Sequence, residues 1–95
     1  MSTFTFEWHP EKSRKNLAKH GISFEEAKSV FSDNNALLIN DPDHSEEEDR
    51  FVLLGLSASL NMLVVCHCYR SEPETIRIIS ARRATKTETA TYKGR

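Results

Sequence analysis

The chain is poor in residues that break regular structure, with three glycines and three prolines among its 95 residues. So few of them exclude a long flexible linker or a low-complexity tail. Its apolar runs are also short, and the longest, residues 51–56 and 62–66, cannot span a bilayer. Because the N-terminal segment lacks the apolar stretch of a secretory signal, we expect a cytoplasmic protein that does not enter a membrane.

Cysteine is equally scarce. Cys66 and Cys68 stand one residue apart, so on a strand they share a face and cannot pair without distorting the backbone. A disulfide scaffold is therefore excluded, and buried apolar roles are favoured. The pair lacks the spacing of a zinc knuckle, and the candidate ligands Asp41, Asp43 and His44 lack the spacing of a calcium loop. We expect neither a metal site nor a cofactor.

The net charge of −1, taken as an average, argues against a polyanionic partner. Its distribution along the chain argues the other way. Residues 1–20 carry a net charge of +2, residues 21–49 carry −8, and residues 70–95 carry +4. Two basic ends that flank an acidic middle can attract a polyanion to one face and repel it from another.

Hydrophobic periodicity and turn signals predict a single α+β domain over residues 1–95, with the order β-α-α-β-β-β-β-α. Pro10 and Gly21 are typical of the start and the end of a helix, and Ser23 with Glu26 forms a capping-box pattern for a second helix. A shorter last helix is predicted after Thr85. The four later strands have short connections, which favours an antiparallel meander. The predicted strands are 3–8, 36–39, 51–57, 62–69 and 75–81.

The first candidate site is a polar, basic stripe on the first helix. Lys12, Asn16, Lys19 and His20 fall within about 100° of the helix surface at 3.6 residues per turn. A solvated helix face is one interpretation of this stripe. The functional interpretation is a surface that contacts phosphate, with His20 as a proton-transfer group.

The second candidate site lies at the end of the predicted sheet, and its members are His67, Arg70, Arg77, Arg82 and Arg83. A hairpin near residues 71–74 brings the first two arginines close together, and parity places Arg82 on the face of Ile76 and Ile78. Such arginines are often salt-bridged edge residues, and the acidic loop offers partners. Beside a histidine they also suit RNA cleavage, because guanidinium groups bind phosphate and stabilise a phosphorane-like transition state.

Four blocks carry a resemblance to a known family: FEWHPEK (6–12), NLAKHGISFEEA (16–27), DPDHSEEEDRF (41–51) and IRIISARRA (76–84). Together they resemble the BrnT-type toxins of type II toxin–antitoxin systems. The resemblance implies a RelE-like α+β fold, with an antiparallel sheet of four to five strands, two N-terminal helices and a short C-terminal helix. It also implies metal-independent RNA cleavage that blocks translation. A ribbon-helix-helix antitoxin is expected to neutralise the toxin, and the complex is expected to bind operator DNA only through that antitoxin.

The resemblance also suggests site residues. It implies catalytic roles for His67, Arg70, Arg82, Arg83 and His20, and RNA contacts for Lys19 and Arg77. The basic stripe adds Lys12 to the expected RNA contacts. The family usually has Asp where this chain has His9, so we expect the first helix to lack a good N-cap. The acidic stretch is expected to lie away from the RNA-binding face or against the antitoxin.

Two alternatives stay open at this stage. The general acid and base are unassigned, since His67, His20 and a carboxylate such as Glu74 all qualify, and some related folds use Lys and Arg instead. The competing function is a catalytically inactive co-repressor that uses its basic patches only to hold a partner or nucleic acid. Tyr69 and Trp8 are the plausible side chains for stacking on bases.

Overall fold

The structure, a computed structural model, describes residues 4–40, 50–70 and 74–94. One strand, two helices, four strands and a last helix follow one another along the chain. A single 3₁₀ turn, Val30–Ser32, extends the second helix. The strands are β1 (Thr5–Glu7), β2 (Leu37–Asn40), β3 (Arg50–Leu56), β4 (Met62–Arg70) and β5 (Thr75–Arg83). The helices are α1 (Pro10–His20), α2 (Phe24–Ser29) and α3 (Lys86–Lys93). None of these helices has the length and apolar content that a membrane crossing needs.

The five strands form one sheet in the order β1-β5-β4-β3-β2. Strands β2 to β5 are antiparallel, which confirms the predicted meander. The prediction of an antiparallel sheet needs one correction, because β1 pairs with β5 in parallel, with Phe6 opposite Ile76 and Glu7 opposite Arg77. The first strand thus joins the last one, and the sheet is mixed.

Helix α1 begins and ends where the sequence predicts, but its start is better capped than expected. His9 has an extended backbone, and its Nδ1 accepts a hydrogen bond from the Glu11 N–H at 3.1 Å. The expectation of a poor N-cap is therefore wrong: an imidazole nitrogen that accepts can replace the carboxylate oxygen of Asp. Gly21 ends the helix with φ of 71°, a left-handed conformation that glycine adopts without steric cost.

Half of the predicted capping box of α2 forms. The Ser23 hydroxyl accepts from the Glu26 N–H at 3.0 Å, but the Glu26 carboxylate turns away from the cap. It accepts from the Ser57 hydroxyl and the Asn61 amide, both at 2.7 Å. The carboxylate therefore ties α2 to the turn between β3 and β4 instead of closing the cap.

Both N-terminal helices cover one face of the sheet. Ile22, Phe24, Ala27 and Val30 are fully buried there, against apolar side chains of β3, β4 and β5. Gly55 makes this contact possible, because an added Cβ would lie 2.9 Å from side-chain atoms of Val30 and Ala36. The close approach of the 3₁₀ turn to β3 thus requires glycine at this position.

Asn16 of α1 closes the edge of β5 beyond the short strand β1. Its amide donates to the Ala81 carbonyl at 2.8 Å and to the Ile22 carbonyl at 2.9 Å, and its carbonyl accepts from the Ala81 N–H at 3.1 Å. The side chain is 7% exposed. A single amide therefore takes the place of a neighbouring strand. Asn16 still lines a cavity with Lys12, Lys19 and His20, but it is buried and bonded to the backbone rather than solvated.

A bulge in β5 changes the faces on which its last residues lie. Cys66 pairs with Ser80 and His67 with Ile78, so Ile79 has no opposite residue. Beyond the bulge the parity is inverted. Arg82 therefore lies on the face opposite to Ile78, and the predicted placement of its side chain is wrong.

Helix α3 begins at the predicted capping box, in which the Thr85 hydroxyl and the Glu88 carboxylate each accept from the other residue's N–H. Glu88 also accepts two hydrogen bonds from Arg82, both at 2.9 Å. These bonds from Arg82 are the main cause that lowers the pKa of Glu88 to about 2. At the other end of the helix the Tyr92 hydroxyl donates to Asp33 at 2.8 Å. Two polar contacts thus fix a helix that buries none of its residues.

The turn between β3 and β4 contains a conformation that its sequence does not favour. Leu60 has φ of 65°, alone among the described non-glycine residues, and its side chain is 76% exposed. We expect Leu60→Gly to raise the free energy of unfolding by about 0.5–1 kcal/mol, because it relieves this strain and removes little packing. Urea unfolding measures the change. The control, Ser59→Gly at negative φ, should lower stability instead; equal effects at both positions would contradict the argument.

Candidate functional site

A small cavity of about 80 Å³ opens where β1 leads into α1. Four basic side chains line it, together with the backbone around the bulge of β5. They are His9, Lys12, Arg50 and Arg77. So many basic groups around one cavity favour an anion, and phosphate is the anion that arginine's planar fork fits best.

Strand register explains why two distant arginines reach this cavity. Arg50 of β3 pairs with Cys68 of β4, and Cys68 pairs with Arg77 of β5. Residues that pair directly point to the same face of a sheet, so the two guanidinium groups lie on one face, two strands apart. Lys12 and His9 approach from the helix side. The sheet and the start of α1 therefore build this cluster jointly.

Glu7 fixes the orientation of Arg77. Its carboxylate lies opposite Arg77 in the parallel β1–β5 pair and accepts from the guanidinium Nε at 3.0 Å. Arg70 Nε lies 3.9 Å from the same carboxylate oxygen. This confirms the prediction that the β4–β5 hairpin brings Arg70 and Arg77 together. The bond to Glu7 engages the Nε–H of Arg77, and the same side chain lines the cavity.

A second cavity, of about 260 Å³, continues along α1. It shares Lys12 and Ile79 with the first, so the two cavities adjoin, and together we call them the basic groove. The second cavity adds Lys15, Lys19 and His20, and also Ser80 of β5. The three lysines follow one another at helix spacings of three and four residues, so they lie on one side of α1.

The basic groove carries one sign of charge. Seven basic side chains line it, and none of its lining residues within the described chain is acidic. Its axis follows α1, and residues 12 and 19 are about 10 Å apart along the helix at 1.5 Å per residue. An extended polyanion therefore meets several cations in succession, which matches the behaviour of proteins that bind single-stranded nucleic acid.

The structure brings together four of the residues that the sequence predicts. Lys12, Lys19, His20 and Arg77 all line the basic groove, so the basic helix and one strand-end arginine meet as expected.

Sequence reasoning missed three further groove residues. Lys15 could have been found from its helix spacing to Lys12 and Lys19. Arg50 could not, because its proximity to Arg77 depends on the register of three strands. His9 precedes the helix and was considered only as a weak cap.

His67 lies elsewhere, inside the protein. Its side chain is 0% exposed and packs edge-on against Phe31, with ring centroids 4.8 Å apart. Its Nδ1 donates to the Val65 carbonyl at 3.2 Å, and Nε2 lies 3.4 Å from the Tyr69 hydroxyl. In this arrangement the ring cannot touch a substrate, so its geometry supports a structural role.

The burial of His67 predicts a pH dependence of stability. Burial lowers the pKa of His67 below its ordinary 6.5, and the hydrogen bond to Val65 offsets part of this shift. As the pH falls below 6.5 the unfolded chain binds a proton that the folded chain does not, so the free energy of unfolding falls until the folded-state pKa is passed. For one group the slope cannot exceed about 1.4 kcal/mol per pH unit.

Urea unfolding between pH 7.5 and 5 measures this effect. We expect His67→Phe, which keeps a ring beside Phe31, to flatten the curve below pH 6.5. The matched control, His20→Gln, should keep the wild-type slope. An unchanged slope in His67→Phe would show that another group causes the dependence.

Arg82 and Arg83 do not join the basic groove. Arg82 pairs with Glu88, and Arg83 donates to the side-chain oxygen Oδ1 of Asn61 at 2.9 Å. Along β5 they lie roughly 15 Å beyond Arg77 at strand spacing. Consecutive strand residues point to opposite faces, and the bulge places Arg82 rather than Arg83 on the face of Arg77. The predicted cluster of one histidine and four arginines is therefore divided into three places, because the sequence does not reveal the bulge or the length of β5.

The structure describes only some of the residues that were considered as alternative metal ligands. Within the described residues, no three His, Cys, Asp or Glu side chains are grouped so that they could hold a metal ion. Cys68 is buried and Cys66 is half-buried. Asp41, Asp43, His44 and the acidic stretch up to residue 49 lie outside the described residues.

The stacking candidates occupy different environments. Trp8 packs edge-on against the buried Phe24, with ring centroids 5.9 Å apart. Tyr69 is 42% exposed and contacts Phe4 and Phe51. Partial burial raises the pKa of Tyr69.

Comparison with known proteins identifies relatives of this arrangement. Residues 8–88 match the model of a family described as "Ribonuclease toxin, BrnT, of type II toxin-antitoxin system". Among solved structures, the chain is similar to the ribonuclease toxin BrnT of Brucella abortus, with 23% sequence identity and a TM-score of 0.67. The match covers 88% of this chain and 100% of the other, and at this identity it establishes the α+β fold. No curated protein matches the chain.

Proposed function

The chain belongs to the BrnT family of ribonuclease toxins of type II toxin–antitoxin systems, and from that premise we propose that it binds and cleaves RNA in the basic groove. Membership implies an antitoxin as partner. We further propose that cleavage blocks translation in the cytoplasm. A ribbon-helix-helix antitoxin neutralises the toxin and carries the complex to its own operator DNA.

The row of basic side chains along the basic groove is the observation that carries this proposal. Single-stranded RNA presents one phosphate per nucleotide, and the groove offers lysines in succession along α1 and two arginines at its end. Lys12 and Lys19 contact successive phosphates. Arg77, held by Glu7, presents its terminal nitrogens to a further phosphate.

The proposed reaction is attack of the 2′-oxygen on the adjacent phosphorus. A base takes the 2′-OH proton, the P–O5′ bond breaks, and a 2′,3′-cyclic phosphate forms while the 5′-oxygen receives a proton from an acid. We assign the base to His20, because histidine most often moves protons near neutral pH and this one lies beside Lys19 in the groove. Lys15 and Lys19 stabilise the negative charge that develops on the non-bridging phosphoryl oxygens, and one of them supplies the proton to the leaving 5′-oxygen.

His9 has a different role in this proposal. Because its Nδ1 accepts from Glu11, the proton of the neutral ring is on Nε2, which can donate to a phosphate oxygen but cannot accept the 2′-OH proton. His9 and His20 are also about 16 Å apart along α1. The two histidines therefore cannot act on one phosphate as a pair.

The other predicted catalytic residues receive structural roles. We assign His67 to the positioning of Phe31, Arg82 to the anchoring of α3, and Arg83 to the β3–β4 turn through Asn61. Arg70 shares Glu7 with Arg77 and lies near the end of the groove.

Expression of the chain alone and together with its cognate antitoxin tests the proposed function. We expect growth arrest and RNA cleavage from the chain alone, and relief of both by the antitoxin. The purified chain should cleave RNA in the presence of a chelator and leave 2′-O-methyl RNA intact. Harmless expression with intact RNA would favour the co-repressor instead.

A further inference from the structure

A cavity of about 480 Å³ opens on the helix-covered face of the sheet, beside β1. Aromatic rings of Phe4, Phe6 and Phe31 form its walls. Polar groups at its rim come from Glu25, Lys28 and Ser32. We call it the aromatic cavity. Its volume lies in the range of small-molecule sites, which combine apolar walls with a few polar groups.

Two of the rings that line the aromatic cavity, Phe6 and Phe31, pack against other aromatic side chains, whereas the third, Phe4, is partly exposed to solvent. Phe6 and Phe31 pack edge-to-face, with ring centroids 5.2 Å apart, and Phe31 rests against the buried ring of His67. Lys28 Nζ lies 5.4 Å from the centroid of the Phe6 ring. Phe4 is 42% exposed, although burial of a phenyl ring is strongly favourable. A preformed apolar surface is thus left partly in water.

The chemistry of the lining selects the kind of ligand. Three phenyl rings favour a flat aromatic group, and the ammonium of Lys28 and the carboxylate of Glu25 offer one donor and one acceptor at its edge. An unpaired nucleobase has both an aromatic face and a polar edge. Stacking on aromatic side chains is the usual way in which proteins hold bases of single-stranded RNA.

A single strand, β1, separates the aromatic cavity from the basic groove. Phe6 and Glu7 are consecutive in β1, and consecutive strand residues point to opposite faces. Phe6 lines the aromatic cavity, whereas Glu7 holds Arg77 in the basic groove. The two sites therefore lie on the two sides of the same sheet edge, about one residue rise apart along β1.

We propose that the aromatic cavity binds one unpaired nucleobase of the RNA whose phosphates occupy the basic groove. This inference rests on the proposed function and adds a base-reading site to it. A strand that crosses the edge of β1 places its phosphates against Arg77 and one base against Phe4 and Phe31. Cleavage should then prefer certain bases at a fixed distance from the cut.

Binding of a short, uncleavable RNA tests the proposal. The probe is a labelled 2′-O-methyl hexanucleotide, compared by fluorescence anisotropy with versions that lack one base each and keep all phosphates. In the wild-type chain, removal of the base at one position should weaken binding about 5- to 100-fold. Phe4→Ala should abolish that difference and leave the affinity for this abasic probe unchanged. The control, Leu38→Ala, removes another half-exposed apolar side chain at the opposite sheet edge and should keep the difference.

The remaining outcomes separate this proposal from the proposed function. If the hexanucleotide binds but no single base matters, or if Phe4→Ala keeps the difference, the base site is wrong and the groove stands. If the hexanucleotide does not bind, titration with the four nucleoside 5′-monophosphates decides: NMR shifts at Phe4 and Phe31 support the cavity, and their absence overturns it. Loss of antitoxin binding in Phe4→Ala, with RNA binding unchanged, would make the cavity an antitoxin contact and also overturn it.

Discussion

Replacement of Asn16 by alanine should lower the free energy of unfolding by about 2–4 kcal/mol. The substitution leaves the Ala81 N–H and the carbonyls of Ala81 and Ile22 without the amide that they share. A buried polar group without a partner costs about 1–3 kcal/mol, and water can reach some of these groups at the sheet edge. For a domain of this size the loss corresponds to a fall in Tm of roughly 10–25 °C.

Thermal unfolding followed by circular dichroism measures the effect of Asn16→Ala. The control is Lys15→Ala on the same helix, which removes an exposed side chain and should change stability by less than about 0.5 kcal/mol. Asn16→Asp adds a second test, because it keeps the acceptor for Ala81 N–H but turns a carboxylate oxygen towards two carbonyls. Equal Tm values for Asn16→Ala and Lys15→Ala would contradict the role of the amide.

The second large effect concerns RNA affinity. We expect the double variant Lys12→Gln, Lys19→Gln to bind single-stranded RNA about 10- to 100-fold more weakly near 0.1 M salt. Each lysine lost from a phosphate contact should also reduce the slope of log K against log salt by about 0.7. Titration of an uncleavable RNA at several salt concentrations measures both quantities.

The matched control for the lysine pair is Lys86→Gln, Lys93→Gln. It removes the same charge from the two ends of α3, beyond the end of β5 that is remote from Arg77. Affinity and salt slope should stay close to the wild-type values. If both double variants weaken binding equally, the affinity for RNA depends on net charge alone, and the basic groove is not the RNA-binding site.

Local signals predicted most of the fold. Pro10 and Gly21 define α1 because one has a fixed φ and the other adopts a left-handed conformation easily. Alternating apolar residues and short connections predicted the meander β2–β5. The parallel pairing of β1 was not predictable in this way, because a three-residue strand carries little pattern and its partner lies about 70 residues away in the chain.

The candidate site was predicted only where its residues are close together in the sequence. Lys12, Lys19 and His20 are near neighbours on one helix, so helix periodicity sufficed. Arg82 was misplaced because one unmatched residue, Ile79, inverts the parity of β5. The burial of His67 depends on rings from other elements, Phe31 and Phe51, which no local pattern reveals.

Single-turnover cleavage of RNA by the purified chain tests most directly the claim that the basic groove is the site of cleavage. We expect cleavage by the wild type and at least about a 100-fold slower rate in the double variant Lys19→Gln, His20→Gln, at protein concentrations that saturate binding. Lys86→Gln should cleave at the wild-type rate. Cleavage by the double variant at the wild-type rate would contradict the basic groove as the site. Loss of cleavage in Arg83→Ala, with the double variant still active, would place the chemistry at the far end of β5.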